Sequence, residues 1–214
     1  MKSKFIVFDL DGTLINTLYG IREALNETLK ELNIPFTYSL DETKTFIGNG
    51  AKVLFAKALK RDFTAEEFNL FLKNYEKDQY ISPFFPNVIE TLKELKNRGY
   101  RLFCNSNKPD SILQKLMANK FGESINLFDN IIGDSTKFNR KPSPDYVNYI
   151  VEKFDLTKDG SYYVGDSVVD LNTAKNSSLK SIIVSYGYGD NEFKNDTYIT
   201  KVIDNFEILL DIAK

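Results

Sequence analysis

The segment KFIVFDLDGT, residues 4–13, joins a short apolar run to two acids and a glycine. Its first part, residues 4–9, is rich in β-branched and aromatic side chains and has no polar face, which predicts a strand buried on both sides. The run ends in the turn Asp11-Gly12-Thr13. In parallel sheets ligands bind beyond the carboxyl ends of the strands, so the polar residues of this turn are the first candidates for a site.

Similar apolar runs recur along the chain, at residues 100–104, 130–133, 161–164, 181–184 and 198–203. Helical patterns separate several of them. In residues 86–98, for example, Val88, Leu92 and Leu95 share one helical face and Gly99 is a stop signal. A closing helix is predicted from Asn205. Alternating strands and helices predict an α/β fold, with a doubly wound, Rossmann-like parallel sheet covered by helices on both faces.

Between residues 16 and 82 the pattern changes. Helix-spaced apolar residues occur at 21–32, 51–59 and 65–80, without a convincing strand among them. We therefore predict two domains, a core made of residues 1–15 and 83–214 and an inserted helical cap made of residues 16–82. The linkers are expected near Asn16 and at Ser82-Pro83.

Charge and hydropathy exclude several kinds of partner. The formal net charge is −2 and both signs are spread along the chain, so no basic stripe is present for nucleic acid. No apolar run approaches the ~20 residues that cross a bilayer, and the first residues do not resemble a signal peptide. We expect a cytoplasmic protein with no membrane or nucleic-acid partner.

The chain has no histidine and a single cysteine, Cys104. Ser-His-Asp triads and HExxH zinc sites both require an imidazole, and one thiol allows neither an internal disulfide nor a paired-thiolate zinc site. Cys104 lies in an apolar run and is expected to be a buried structural thiol. Catalysis must therefore use carboxylates, hydroxyls, lysines or a metal bound by oxygen.

Two of the predicted strand ends carry pairs of acids. Asp9 and Asp11 follow the first strand, where they would repel each other unless a cation lies between them, and Gly12 allows the backbone to approach an anion. Asp166 and Asp170 follow the strand that ends at Val164, four residues apart, a spacing that a helix would place on one side. A helix-capping aspartate in a tight turn is the ordinary alternative for the first pair.

Two further segments carry a hydroxyl and a lysine. Ser106-Asn107-Lys108 follows the strand predicted to end at Cys104, and its hydroxyl and backbone amides could hold phosphate oxygens at a strand-to-helix turn. Lys141 precedes Pro142-Ser143-Pro144-Asp145, where a helix is expected to start. Taken singly, these are also ordinary turn residues and an ordinary surface lysine.

The order of the four segments resembles the haloacid dehalogenase superfamily over essentially the whole chain. DLDGT at 9–13, SNK at 106–108, KP at 141–142 and GDSVVD at 165–170 are similar to its four motifs. Within it, the segments at 47–50, 85–88, 141–145 and 186–189 resemble phosphoglycolate phosphatases and their relatives. Asn87, where glycine is common, and Ser177-Ser178-Leu179, in place of a small Ala/Gly-rich end, depart from that likeness.

The resemblance implies a magnesium-dependent phosphatase that acts on a small phosphorylated metabolite, similar to phosphoglycolate, through an aspartyl phosphate on Asp9. It implies that Mg²⁺ is bound by the Asp9 carboxylate, the Asp11 backbone carbonyl and the Asp166 side chain, while Asp170 orients water on the metal. It also implies that the Asp11 side chain protonates the leaving oxygen and later deprotonates the attacking water.

The remaining residues are expected to bind the substrate. Ser106 and the amides near Gly12 and Asn107 would hold phosphoryl oxygens, and Lys141 would balance charge on Asp9 and the phosphate. The insertion would close over the core, and its loop, Gly48, Asn49 and Gly50, would approach the substrate. A plain turn between two helices is the alternative for this loop.

Other functions remain open on the same motifs. A pyrophosphatase or a nucleotidase can share the core and is the main alternative. A mutase similar to β-phosphoglucomutase would carry a cap histidine, which this chain lacks, and a haloalkanoate dehalogenase does not keep the second acid. A non-catalytic binding protein would be expected to lack a catalytic acid. Either a monomer or a homodimer is expected.

Overall fold

The computed structural model describes residues 2–77, 82–190 and 192–213. Six strands form one sheet, in the order β3-β2-β1-β4-β5-β6, and every neighbouring pair is parallel. The strands are β1 (Phe5–Phe8), β2 (Arg101–Pro109), β3 (Asn130–Asp134), β4 (Tyr162–Gly165), β5 (Lys180–Val184) and β6 (Ile199–Ile203). The predicted α/β class and parallel sheet are confirmed.

Helices occupy about half of the rest of the described chain. They are α1 (Leu18–Glu31), α2 (Leu40–Lys44), α3 (Ala51–Leu59), α4 (Ala65–Tyr75), α5 (Val88–Asn97), α6 (Asp110–Phe121), α7 (Asp145–Lys153), α8 (Val168–Ser177) and α9 (Leu209–Ile212). The helix predicted from residue 65 was expected to reach Tyr80, which lies outside the described residues. Within the described ranges, none of the helices has both the length and the apolar character needed to cross a bilayer.

Strand β1 occupies the centre of the sheet, between β2 and β4. Successive side chains of a strand point to opposite faces. Accordingly Ile6 and Phe8 belong to one buried cluster, and Phe5 and Val7 belong to a second cluster. Burial on both faces explains why this segment has no polar face, and it places Asp9 at the middle of the carboxyl edge of the sheet.

Strand β2 is longer than the sequence predicts. We expected it to end at Cys104, with Ser106-Asn107-Lys108 in a turn, but it continues to Pro109. These three residues are nonetheless buried, with exposures of 3–7%. The prediction was wrong because a polar run normally marks a solvated turn, whereas here the polar groups find partners inside the protein.

The two acids of the segment 165–170 do not share a helical face. Helix α8 begins at Val168, with Ser167 as its N-cap, so Asp166 precedes the helix and Asp170 lies in its first turn. Asp170 accepts a hydrogen bond from the Ser167 backbone N–H at 3.1 Å and completes a capping box. The predicted arrangement on one helix side is wrong, and the capping turn brings the two acids together instead.

Helices α1 to α4 lie between β1 and β2 in the chain, and the described part of residues 16–77 contains no strand longer than a single bridge. Their apolar side chains form a cluster of their own, to which α6 contributes Ile112. The segments that enter and leave this group of helices lie side by side, because the Asn16 backbone N–H donates to the Pro83 carbonyl at 2.8 Å.

Phe55 is the central aromatic residue of this helical cluster, and Phe55→Ala is expected to destabilise the protein. Its side chain is fully buried, and its ring stacks on Phe71 with 4.9 Å between centroids. Removing a buried phenyl group costs about 3–5 kcal/mol in free energy of unfolding. Urea denaturation measures the loss. Phe36→Ala, at a side chain that is 39% exposed, is the control, and equal losses in both variants would contradict the assignment.

Candidate active site

The carboxyl ends of β1, β2 and β4 surround one cavity of about 70 Å³. The core lines it with Asp9, Asp11, Ser106, Asn107, Lys108, Lys141 and Asp166. Three of the four segments that the sequence singled out end strands of the sheet, and the fourth, at Lys141, lies in the loop after β3. The topology therefore brings all four to one place.

Three carboxylates form the floor of the site. Asp9, Asp166 and Asp170 are all buried, and each offers an oxygen within 4.8 Å of the others. Burial raises the pKa of Asp9 well above its ordinary value, against the opposing effect of Lys141, and the neighbouring acids raise it further. Burial, together with Asp170, raises the pKa of Asp166 to about 7. The ionised cluster thus carries uncompensated negative charge.

Lys141 is the cation of this floor. Its Nζ donates to Asp9 Oδ1 at 2.6 Å and to Asp170 Oδ1 at 2.8 Å. Burial favours the neutral amine, but the two carboxylates outweigh it and hold the pKa of Lys141 well above its ordinary value. Lys141 is therefore charged and fixes the relative positions of the two acids.

Asp166 is held by the backbone rather than by a cation. Its Oδ2 accepts a hydrogen bond from the Tyr188 backbone N–H at 2.5 Å. Two glycines pack against Asp166 and leave no room for a side chain of their own. A Cβ on Gly12 would lie 2.3 Å from Asp166 Oδ2, and a Cβ on Gly187 would lie 2.3 Å from Asp166 Cβ. Gly12 also has φ +86°, which favours glycine. In the described parts of the chain, no lysine or arginine forms an ion pair with Asp166.

The residues fit a divalent cation. Four carboxylates, of Asp9, Asp11, Asp166 and Asp170, face the two ammonium groups of Lys108 and Lys141, which leaves an excess of negative charge. The donors are all oxygens, the ligand type that hard cations such as Mg²⁺ take. Asp170 is the least available of the buried three, because Ser167 Oγ donates to its Oδ2 at 2.6 Å and Lys141 bonds its Oδ1.

Asp11 lies apart from the buried three and has different partners. Its Oδ2 accepts a hydrogen bond from Ser106 Oγ at 3.4 Å, and its Oδ1 lies 3.2 Å from Lys108 Nζ. Its side chain is 12% exposed, so it borders the cavity rather than the protein interior. Two acids that are two residues apart in the chain thus have different hydrogen-bond and ion-pair partners.

The helical insertion closes the other side of the cavity. Gly48 and Gly50 line it, and the Gly48 carbonyl accepts a hydrogen bond from Asn107 Nδ2 at 3.1 Å. Asn49 does not line it, but lies on an outer groove, where its carbonyl accepts from Arg140 Nη1 at 3.2 Å. The structure therefore brings Gly48 and Gly50 to the site and leaves the Asn49 side chain exposed.

Three residues of this region received no role from the sequence. Lys108 and Tyr188 stand inside quoted motifs, but lysine and tyrosine are common on surfaces, and only their position in the cavity lining distinguishes them here. Tyr75 of α4 lines the cavity from the insertion. Its helical spacing indicated only a core residue, so no pattern in the sequence marked it.

Comparison with known proteins places this geometry in a family. A sequence model described as haloacid dehalogenase-like hydrolase matches residues 6–184. The chain belongs to this family. Among its relatives, the phosphoglycolate phosphatase of Vibrio cholerae is 33% identical, and the match covers 100% of this chain and 98% of the relative. The phosphoglycolate phosphatase of Aquifex aeolicus is 35% identical over 86% of each chain.

A solved structure of the same family is also similar over its full length. A predicted phosphoglycolate phosphatase from Haemophilus somnus 129PT has a TM-score of 0.86 and 32% identity, covering 100% of this chain and 99% of the other. These matches confirm the resemblance to haloacid dehalogenase-like enzymes and the enzyme class predicted from the sequence, a phosphatase.

Proposed function

We propose that this phosphatase is a magnesium-dependent phosphomonoester hydrolase for a small phosphorylated metabolite, and that it acts through an aspartyl phosphate on Asp9. One observation carries the proposal: Asp9 lies in a buried acid cluster beside Lys141, while Asp11 lies apart, on Ser106 and Lys108. Carboxyl groups in separate environments can hold different protonation states and perform different tasks.

The metal would be held by the Asp9 and Asp166 carboxylates and the Asp11 backbone carbonyl. When bound, Mg²⁺ neutralises the repulsion between the nucleophilic carboxylate and the phosphoryl group. Asp170 keeps its hydrogen bonds to Ser167 and Lys141, and from there it orients the groups around the cation.

In the first step an Asp9 oxygen attacks phosphorus, and the bond from phosphorus to the leaving oxygen breaks. The Asp11 carboxyl gives its proton to that oxygen, so the alcohol leaves neutral. In the second step Asp11 takes a proton from water, the water oxygen attacks phosphorus, and the bond to Asp9 breaks. Ser106 and the amides near Gly12 and Asn107 bind the phosphoryl oxygens, while Lys141 balances their charge.

The helical insertion, residues 16–82, serves as a cap that closes over the core, residues 1–15 and 83–214. Two hydrogen bonds join the insertion to the core, Asn107–Gly48 at the cavity and Arg140–Asn49 on the outer groove. In this closed arrangement the cavity of about 70 Å³ favours a leaving group of a few atoms and disfavours a nucleotide. The cytoplasmic location and the monomeric or homodimeric state remain predictions from the sequence.

A panel of phosphate compounds tests the proposal. With Mg²⁺ present, phosphate release is expected to be fastest from small monoesters, and phosphoglycolate is the first to test because relatives over the whole chain bear its name. Pyrophosphate and nucleoside monophosphates are the comparison compounds. A preference for either of these by tenfold or more would replace the proposed substrate class with the main alternative.

Asp11→Asn separates the two proposed steps. It keeps the Asp9 nucleophile but removes the proton donor, so an aryl phosphate, whose leaving group needs little protonation, should still phosphorylate Asp9. Hydrolysis of the intermediate should remain slow. We expect a burst of aryl alcohol near one equivalent, then a slow steady state, with a phosphate adduct visible by intact-mass measurement.

The parent enzyme and an alkyl phosphate are the controls for this variant. With the alkyl ester, both steps need Asp11, and no burst is expected. Turnover of both esters at the parental rate would show that Asp11 only shapes the turn.

A further inference from the structure

Lys108 has no role in the mechanism above, yet its side chain is fully buried in the cavity wall. Its Nζ lies 3.2 Å from Asp11 Oδ1 and donates to the Tyr75 hydroxyl at 2.8 Å. It also lies 4.0 Å from the centroid of the Tyr75 ring. Both the core and the insertion contact this desolvated ammonium group. Burying a lysine costs free energy, so a functional role would explain why the residue is buried here.

The position of Lys108 relative to the leaving group follows from the proposed function, on which this inference rests. Asp11 must come within about 3 Å of the leaving oxygen in order to protonate it. With Oδ1, the oxygen 3.2 Å from Lys108 Nζ, as the proton donor, the ammonium lies within about 6 Å of the leaving oxygen. A substituent on the carbon next to the ester carbon can reach it.

The charges around the cavity distinguish its two ends. Among the described residues that line it, the cations are Lys108 and Lys141. Lys141 bonds Asp9 and Asp170, at the phosphoryl end. The insertion adds mainly apolar contacts, from Ile21, Ile47, Ala51 and Leu54, besides Tyr75 and two glycines. Lys108 is thus the cation that an anionic leaving group would meet.

We propose that Lys108 is a specificity-determining residue that selects phosphate monoesters whose leaving alcohol carries a carboxylate, and that Tyr75 positions its ammonium group. A carboxylate forms a charge-assisted hydrogen bond with a desolvated ammonium group, and the low dielectric of the site strengthens that bond. An uncharged leaving group of the same shape offers the ammonium group only a neutral acceptor, whose hydrogen bond is weaker, so the site discriminates against it.

A matched pair of substrates tests the proposal, namely phosphoglycolate and its neutral isostere, 2-phosphoglycolamide. The measured quantity is the ratio of their kcat/KM values. In the parent enzyme phosphoglycolate should be preferred by at least about tenfold, the value of one hydrogen bond to a charged group. Lys108→Met should bring the ratio close to one. Any effect of the variant on Asp11 acts on both substrates and cancels in the ratio.

Lys115→Met is the control variant. Lys115 also joins the core to the insertion, through an ion pair with Glu76 at 2.9 Å, but its side chain is 52% exposed and does not line the cavity. Its substrate ratio should equal that of the parent. Tyr75→Phe removes the hydroxyl that fixes Lys108, and it should lower the ratio by less than Lys108→Met does.

One result would overturn the proposal, namely a ratio that keeps its parental value in Lys108→Met. If kcat/KM then falls equally for both substrates, Lys108 acts only through Asp11, and if neither value changes, Lys108 has no part in catalysis or selection. Should Lys108→Met not fold, Lys108→Gln provides the same comparison with a polar, uncharged side chain. A different result would contradict the proposed function, namely that the parent enzyme releases no phosphate from either ester when Mg²⁺ is present. The two failures are therefore distinguishable.

Discussion

Asp9→Asn is expected to lower kcat by about 10⁴-fold or more, the scale on which loss of a nucleophile acts. The amide is nearly isosteric with the carboxylate, but it is a poor nucleophile, so no phosphoryl group should be transferred. Phosphate release with Mg²⁺ measures the loss, and intact mass should show no phosphate adduct. Residual activity within tenfold of the parent would exclude the covalent mechanism.

The fold should survive this substitution. Burial first, and then the neighbouring acids, disfavour the charged form of Asp9, and removing that charge relieves both effects. Lys141 keeps its contact with Asp170 at 2.8 Å. We therefore expect a melting temperature equal to the parent value or above it. Asp190→Asn, at an exposed acid on the outer groove, is the matched control and should leave kcat unchanged.

Asp166→Ala is expected to eliminate activity, or to raise the Mg²⁺ concentration needed by about 100-fold or more. Loss of a residue that merely supports a metal ligand already costs about 10–100-fold in metal affinity, and loss of a ligand should cost more. Asp166 is the buried acid without a lysine partner in the described chain, so the cation is its expected counter-charge. Full activity of the parent with excess chelator would contradict metal dependence.

Thermal unfolding provides a second measurement on the same variant. A ligand that binds only the folded state stabilises it, by about 2.7 kcal/mol at one hundred times its Kd. Mg²⁺ should therefore raise the melting temperature of the parent and have little effect on Asp166→Ala. Asp159→Ala, at an exposed acid, should respond as the parent does. An equal rise in both variants would remove Asp166 from the metal site.

Periodicity alone predicted most of the architecture. The run at residues 4–9 is apolar on both faces because β1 lies at the centre of the sheet, and such a run leaves little choice of structure. Helix-spaced residues at 51–59 likewise match α3, Ala51–Leu59. These elements could be predicted because the faces that each element buries in the fold are the same faces that carry its apolar residues in the sequence.

The predictions were less accurate where polar residues are buried. Ser106 and Lys108 belong to β2 although they resemble a turn, and Asp166 precedes α8 although its spacing from Asp170 resembles a helical pair. In both places, hydrogen bonds inside the protein replace those with water. A pattern of hydropathy along the chain cannot register partners that come from elsewhere in the fold.

The sequence by itself determined which chemical groups the carboxyl edge of the sheet presents, because a residue that follows a parallel strand must lie at that edge. Only the tertiary structure decided their pairing. Lys141 reaches Asp9 across 132 residues of chain, and Lys108 reaches Asp11 across 97 and Tyr75 across 33. Strand order and helix packing set these contacts, and both depend on burial summed over the whole protein rather than on any local run of residues.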